Sequence, residues 1–342
     1  MILSKLSLNN FRNHQQLSLE LPSINQPLYI SGENGAGKTS IIESIYLLYT
    51  LRSFRSQPLN EIKSFNSEYL RIHGEFVRGD IDNATLFYQQ ERKFLIDGQE
   101  NSLPLADYSY ITPAICYSPS FETLLSSEHS ERRQSLDRIV YYTNKTHMAN
   151  VKQYNQLLQR KRAELDRDRP NETVLDIINE QLAPLSEQIS AARASLVADI
   201  NQAVAESGEL AQTLMPDIEL SFSANSLDGR DFANEIDKRR PMYGCHKDLL
   251  YVKRDGKIIE KFQSFGQKKS CLLFLLYHMA TIVQRQRQTD IILLFDDFEA
   301  GLDAGRASKL TSLFTSLMDG HMQLILSGIE NRHYKEAAEL KL

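Results

Sequence analysis

The stretch Gly32-Glu33-Asn34-Gly35-Ala36-Gly37-Lys38-Thr39 decides the fold of this 342-residue chain. It matches the pattern G-x-x-x-x-G-K-[ST] in full and lies between a predicted strand at 28–30 and a predicted helix at 39–51. Glycines let the backbone N–H groups of such a loop approach phosphates, and the helix N-terminus adds partial positive charge. We predict that Lys38 reaches the β- and γ-phosphates of ATP, that Thr39 binds Mg²⁺, and that the other loop residues and Ser40 surround the phosphates.

A second motif lies near the C-terminus, where the apolar run 291–295 ends in Asp296-Asp297. A buried strand that ends in paired carboxylates is typical of a Walker B motif. We predict that Asp296 belongs to the Mg²⁺ shell and that Asp297 is a catalytic residue, which orients or deprotonates the attacking water. The segment Gly301-Leu302-Asp303 follows shortly after and supports this interpretation.

A third motif, Gln263-Ser264-Phe265-Gly266-Gln267, precedes an apolar helix and is similar to the ABC signature, usually L-S-x-G-Q. Ser264 and Gly266 at a helix start can bind a γ-phosphate through a hydroxyl, an N–H group and the helix dipole. In ABC-type ATPases such a loop completes the nucleotide site of a second subunit, so the motif predicts dimerisation. Gln263 stands in the usual leucine position.

The rest of the chain predicts a split α/β domain. Apolar runs at 291–295 and 323–326 indicate buried strands of a parallel sheet, while 120–212 is mostly helical and suggests an antiparallel helical arm. The predicted fold is an ABC-type P-loop ATPase head with a mixed or parallel sheet, interrupted by that arm. The expected boundaries are 1–118 and 216–342 for the head and 119–215 for the arm.

Composition narrows the functional class. The net charge is −5, so DNA contact would need a local positive patch, and 42% hydrophobic residues are ordinary for a globular protein. Three separated cysteines signal neither a zinc site nor a disulfide framework, and no apolar run is long enough to span a bilayer. We therefore expect a cytoplasmic protein without membrane association.

The motifs together resemble the RecF family along nearly the whole chain. Six segments carry the resemblance beside the three motifs above: Asn10-Phe11-Arg12-Asn13, Glu43-Ser44-Ile45-Tyr46, Arg52-Ser53-Phe54-Arg55, Ser118-Pro119, Glu131-Arg132-Arg133 with Leu136-Asp137, and Tyr243-Gly244-Cys245-His246-Lys247-Asp248. Cys245 replaces the proline usual in the last of these.

The resemblance implies ATP and Mg²⁺ as cofactors and an ATP-dependent homodimer that binds gapped DNA and single-strand/double-strand junctions. It implies RecR and RecO as partners in loading RecA, with slow, DNA-stimulated hydrolysis that acts as a switch. It also implies that Arg12, Gln267 and Asp303 contact nucleotide and that Ser264 takes part in catalysis.

One segment is a candidate for DNA binding. Residues 130–170 contain ten Lys or Arg residues and five acidic residues, a net charge of +5 in an acidic chain. A local positive patch of this kind can bind DNA phosphates, although it is also typical of a solvated helix face. The residues predicted to contact DNA are Arg132, Arg133, Lys152, Arg160, Lys161 and Arg162.

Other functions predict other features. A membrane-transporter ATPase subunit would have a partner-binding Q-loop and a switch histidine, and Ser327 stands where that histidine would be. A P-loop kinase would have no use for the signature at Ser264. The ATPase head of a nuclease would need a second carboxylate cluster, which the sequence does not show. The ATPase subunit of another SMC-like DNA-processing complex remains the alternative.

Overall fold

The protein is described by a computed structural model, which covers residues 1–55, 58–101, 103–207, 214–215, 217–259, 264–318 and 320–342. These residues form two compact units. Unit 1 combines Met1–Glu122 with Phe265–Leu342, and unit 2 is Thr123–Ser264.

The elements of unit 1 up to Glu122 are, in chain order, β1 (Ile2–Phe11), β2 (His14–Glu20), β3 (Leu28–Ser31), α1 (Lys38–Thr50), α2 (Leu59–Ile62), β4 (Leu70–Val77), β5 (Asn83–Tyr88), β6 (Arg92–Ile96), β7 (Gln99–Glu100), α3 (Leu105–Ile111), β8 (Ala114–Tyr117) and α4 (Pro119–Glu122). Unit 2 contains α5 (His129–Thr143), α6 (His147–Leu165), α7 (Glu172–Glu206), β9 (Ile218–Ser223), α8 (Ala233–Asp237), β10 (Leu249–Arg254) and β11 (Lys257–Ile258). Unit 1 then resumes with α9 (Phe265–Arg287), β12 (Ile291–Phe295), α10 (Ala304–Thr315), β13 (Met322–Gly328) and β14 (Ala338–Lys341).

A parallel sheet in unit 1 positions the nucleotide loop. Its strand order is β14-β3-β13-β12-β8, and every pair in it is parallel. All five residues of β12 are buried, as predicted for a central strand. Phe295 pairs with Leu326, so the residues that follow β12 and β13 meet at the same edge of the sheet where β3 runs into the glycine-rich loop.

An antiparallel sheet with the order β2-β1-β4-β5-β6-β7 completes unit 1. Side chains from this sheet, from α1 and from the parallel sheet share one core that includes Leu6, Ile45 and Ile292, each at most 1% exposed. Helix α1 is buried on most of its circumference. Its packing fixes the position of the glycine-rich loop that precedes it.

Unit 2 begins with helices that pack as a hairpin. Tyr154, Leu157 and Leu158 on α6 share a core with Ile178, Leu182 and Ile189 on α7. These two helices agree with the antiparallel helical arm predicted within 120–212. The helices are joined by a short connection, and Asn171 caps α7 by accepting a hydrogen bond from the N–H group of Val174.

A buried ion-pair network joins the helices of unit 2 to its later segments. The Arg193 guanidinium, 4% exposed, donates to both Asp137 carboxylate oxygens at 2.8 Å, to Asp248 Oδ2 at 2.9 Å and to the Cys245 carbonyl oxygen at 2.8 Å. Burial raises the pKa of Asp137, but hydrogen bonds from Arg193 and His147 outweigh it and hold that pKa below its usual value. Two family-like segments, around Asp137 and Asp248, thus meet inside unit 2.

This network explains why the division in the structure differs from the expected boundaries. The prediction returned the chain to the head at 216, whereas the structure groups 217–259 with the helices in unit 2. β10 pairs with β9, β9 packs on α7, and Asp248 lies against Arg193. Local sequence patterns can indicate that β9 and β10 are strands, but they do not tell which core a strand belongs to.

Candidate nucleotide-binding and hydrolysis site

The loop after β3 packs closely against the turn between β1 and β2. Gly37 has φ +106°, and a Cβ atom there would lie 2.5 Å from Nε2 of His14 and 2.6 Å from Nδ2 of Asn13. Only glycine fits this left-handed, crowded position. The same His14 nitrogen lies 3.1 Å from the Gly37 carbonyl oxygen, so the turn between β1 and β2 contacts the loop directly.

Lys38 points back over the loop. Its Nζ donates to the carbonyl oxygens of Gly32 and Glu33, both at 2.8 Å, and the residue is 5% exposed. These two carbonyls hold the ammonium at the mouth of the loop. A phosphate oxygen could replace them as a stronger, charged acceptor.

The nucleotide loop and the Walker B strand meet at a hydrogen bond. Thr39 Oγ1 donates to Asp296 Oδ1 at 2.9 Å, and Ser327 Oγ donates to the same oxygen at 3.0 Å. Burial raises the pKa of Asp296 and outweighs the opposing effect of these two donors. A hydroxyl and a carboxylate at this distance fit Mg²⁺, which takes few protein oxygens and completes its octahedron with water and phosphate.

Asp297 occupies a constrained turn next to this pair. Its side chain is exposed and its φ is +50°, an uncommon conformation for a residue other than glycine. Its N–H donates to Ser327 Oγ at 3.0 Å, and its carbonyl oxygen accepts from Lys269 Nζ at 2.5 Å. Both peptide groups that flank the Asp297 side chain are therefore fixed.

Ser327 is a site residue whose role the sequence did not predict; the sequence showed only that it stands where a transporter ATPase would have its switch histidine. Its hydroxyl accepts from Asp297 N–H and donates to Asp296, and the residue is fully buried. Its place immediately after the apolar run 323–326 was the available signal, because parallel strands that end at one edge bring their following residues together.

Arg12 is paired with a helix residue. Its guanidinium donates to both carboxylate oxygens of Glu43, at 3.0 and 2.8 Å, and Glu43 is fully buried in α1. Ser53 donates to the same carboxylate at 2.5 Å. Arg12 thereby ties the β1–β2 turn to α1, and its contact with nucleotide stays a prediction.

The signature segment lies against the turn that follows the Walker B strand. Ser264 is exposed just before α9, and a Cβ atom on Gly266 would lie 2.3 Å from the Gly301 carbonyl oxygen. Gln267 is half-buried in the first turn of the helix, while Gln263 lies outside the described residues. The glycine of this motif is required by the close approach of another backbone.

Asp303 caps the helix that follows the same turn. Its side chain is exposed and accepts a hydrogen bond from the N–H group of Arg306 at 2.9 Å, at the start of α10. That hydrogen bond lowers the pKa of Asp303. Its contact with nucleotide stays a prediction.

The residues predicted to bind DNA divide by exposure. Arg132 is 2% exposed and donates to the carbonyl oxygens of Ser126 and Leu250 at 2.5 and 2.8 Å. Lys161 is 1% exposed and paired with Glu235. The prediction for these two side chains is corrected, since both are used inside unit 2.

The other four predicted DNA contacts remain candidates. Arg133 is half-buried and donates to the Asp248 carbonyl oxygen at 2.7 Å. Lys152, Arg160 and Arg162 are exposed on α6. The positive surface is therefore narrower than the run of charge in the sequence suggests.

Two histidines, His246 and His321, contact residues away from the nucleotide loop. Nδ1 of His246 lies 2.7 Å from the Tyr154 hydroxyl, and burial lowers the pKa of His246 to about 3. His321 lies 3.3 Å from Asp290. Neither contact involves the residues of the nucleotide loop.

Comparison with known proteins identifies the family. The model of the RecF/RecN/SMC N terminal domain matches residues 2–341. The DNA replication and repair protein RecF of Rickettsia felis is 30% identical, over 96% of this chain and 95% of that protein. The chain belongs to the RecF family. A RecF of Chlorobium luteolum is 27% identical over 92% of this chain and 91% of that protein.

Solved structures agree on the fold. A structure described as the recombination mediator protein RecF with ATP, in the RecFOR pathway, has a TM-score of 0.81 at 19% identity and covers 99% of this chain and 95% of its own. An Smc head bound to the C-winged helix domain of ScpA has a TM-score of 0.61 at 14% identity, covering 100% and 94%. The predicted ABC-type ATPase head fold is thereby confirmed.

The helices bear on membrane association through their length and apolarity. Within the described ranges, none of the helices combines the length and apolarity needed to span a bilayer.

Proposed function

We propose that this protein is an ATP-dependent DNA-binding protein of replication and recombinational repair, in which ATP acts as a dimerisation switch. The observation that carries the proposal is the 2.9 Å hydrogen bond between Thr39 and Asp296. It joins a complete nucleotide loop to a Walker B carboxylate 257 positions later in the sequence. The family relationship supports DNA repair and replication as the setting.

ATP and Mg²⁺ are the proposed ligands of this site. Lys38 exchanges its two loop carbonyls for β- and γ-phosphate oxygens, and Thr39 and Asp296 supply the protein oxygens for Mg²⁺. The ion, when bound, neutralises charge on the phosphates. Asp297, exposed and held at φ +50°, orients the attacking water and accepts its proton.

The proposed switch requires a second copy of the chain. Exposed Ser264, with Gly266 and Gln267 at the start of α9, binds the γ-phosphate held by a partner's loop, and the partner does the same in return. ATP then stabilises a homodimer, and slow, DNA-stimulated hydrolysis releases it. Asp303, the exposed residue that caps α10, is proposed to contact nucleotide as well.

DNA binding is proposed to follow shape and backbone. The exposed cations Lys152, Arg160 and Arg162 of α6 supply phosphate contacts, with Arg133 as a weaker candidate. By family relationship the DNA is gapped duplex or a single-strand/double-strand junction, and RecR and RecO are the partners in loading RecA. The cytoplasm is the proposed location.

A second candidate is the ATPase subunit of another SMC-like DNA-processing complex. The fold similarity to the Smc head favours it, with a TM-score of 0.61. It predicts that ATP-dependent dimerisation is intact but that RecR and RecO do not bind.

The switch is tested with Ser264→Arg. We expect this variant to bind ATP as the unchanged protein does but to stay monomeric with ATP in light-scattering measurements, because a bulky cation blocks the predicted contact. Ser308→Arg, at an exposed serine on α10, is the matched control and should dimerise. Normal dimerisation of Ser264→Arg with ATP would refute the site shared between subunits.

A further inference from the structure

A buried lysine connects two of the motifs. Lys269, in the first turn of α9, is 3% exposed. Its Nζ donates to the carbonyl oxygens of Asp297, at 2.5 Å, and of Ala300, at 2.8 Å. It also lies 5.3 Å from the centre of the Tyr117 ring. The lysine thus holds both ends of the turn that follows the Walker B aspartates.

The backbones of the same two segments are in close contact. Gly266 approaches the Gly301 carbonyl so closely that a methyl group would lie 2.3 Å from it, and a Cβ atom on Gly301 would lie 2.6 Å from the Phe265 ring. Segments packed this closely move together, because interiors at this density do not deform continuously. The start of the signature helix and the Walker B turn therefore form one block.

Burial of the Lys269 ammonium disfavours its charged form. Burial lowers its pKa to about 8, against the opposing attraction of Asp297, Glu122 and Asp296. Its two acceptors are both backbone carbonyls, so it serves to fix the turn. One of those carbonyls belongs to Asp297, whose N–H is fixed by Ser327 on the other side.

We propose that Lys269 is a positioning residue that couples the signature of one subunit to the hydrolytic aspartate of the same chain. When Ser264 engages a partner's nucleotide, α9 shifts, and Lys269 carries that shift to the Asp297 turn. Each subunit thereby senses the nucleotide of its partner before it hydrolyses its own. This inference rests on the proposed function.

The test compares Lys269→Met, Lys269→Arg and the control Lys309→Met, an exposed lysine on α10. We expect Lys269→Met to bind ATP within about twofold of the unchanged protein and to hydrolyse it about 10- to 100-fold more slowly, since small misplacements of reacting groups have effects of this size. Lys269→Arg, which keeps the charge and the donors, should recover part of the rate. Lys309→Met should hydrolyse ATP normally.

A pH series separates positioning from a merely structural role. In the unchanged protein, the hydrolysis rate should fall with a midpoint near 8 as Lys269 loses its proton, and Lys269→Met should lack that midpoint. Equal loss of ATP affinity and rate in both Lys269 variants, or an unchanged rate in Lys269→Met, would overturn the inference. Failure of the unchanged protein to dimerise or hydrolyse ATP would instead refute the proposed function.

Discussion

Replacing Arg193 with Met should destabilise unit 2 strongly. The side chain is 5% exposed and compensates two buried carboxylates, those of Asp137 and Asp248. Met has a similar length but donates no hydrogen bond, so four donor contacts are lost and two negative charges stay in the interior.

Removing one partner of a buried ion pair costs about 3–5 kcal/mol. Here two carboxylates lose their partner, so we expect a loss at the upper end of that range. Domains have a total free energy of unfolding of about 5–15 kcal/mol, so the urea concentration at the unfolding midpoint should fall substantially.

The assay is urea unfolding followed by circular dichroism at pH 7. The matched control is Arg332→Met, since Arg332 and its partner Glu330 are 68% and 65% exposed, and exposed pairs of this kind contribute about 0–1 kcal/mol. A loss below about 1 kcal/mol for Arg193→Met would refute the reasoning, because it would mean that the carboxylates are solvated or neutral.

Acid should act on the same network. The pKa of Asp137 is held low in the folded chain, so its stabilising contribution is present above the pKa of the unfolded chain and is lost as pH falls through the folded value. In Arg193→Met this part of the acid dependence should shrink.

Two further predictions concern the nucleotide site. Gly266→Ala should reduce ATP hydrolysis by about tenfold or more, because its methyl group would lie 2.3 Å from the Gly301 carbonyl and displace the Walker B turn. The control is Gly98→Ala, which strains a hairpin turn at φ +78° but brings no atom within 4 Å of the new Cβ, so it should lower stability and leave the hydrolysis rate of the folded protein unchanged. Mg²⁺-dependent ATP binding should weaken on acidification at a pH above 3.8, the ordinary pKa of aspartate. Burial raises the pKa of Asp296, and its protonated form cannot bind the ion. ATP binding that stays constant in Mg²⁺ titrations down to pH 3.8 would contradict this prediction.

Much of unit 1 could be predicted because its signals are local. A complete glycine-rich loop after a strand, and an apolar run that ends in two aspartates, each require one structural context. The Asp97-Gly98 and Asp255-Gly256 pairs likewise form hairpin turns, which Asp-Gly between two strands favours, with positive φ at both residues of each.

The features that escaped prediction depend on distant contacts. Arg132 and Lys161 lie in a positive run, yet each has a partner far away in the chain, Leu250 for Arg132 and Glu235 for Lys161. No local pattern distinguishes a buried, paired cation from a solvated one. The same holds for Ser327, whose role depends on the register between β12 and β13.

The account's central claim is that ATP controls DNA binding. The most direct measurement is fluorescence anisotropy of a labelled gapped duplex with ATP, with ADP and without nucleotide, each at two salt concentrations. The account predicts strong binding with ATP only, and weaker binding at the higher salt concentration because phosphate contacts release counterions. Binding that is the same in all three nucleotide states, or absent in all of them, would contradict it.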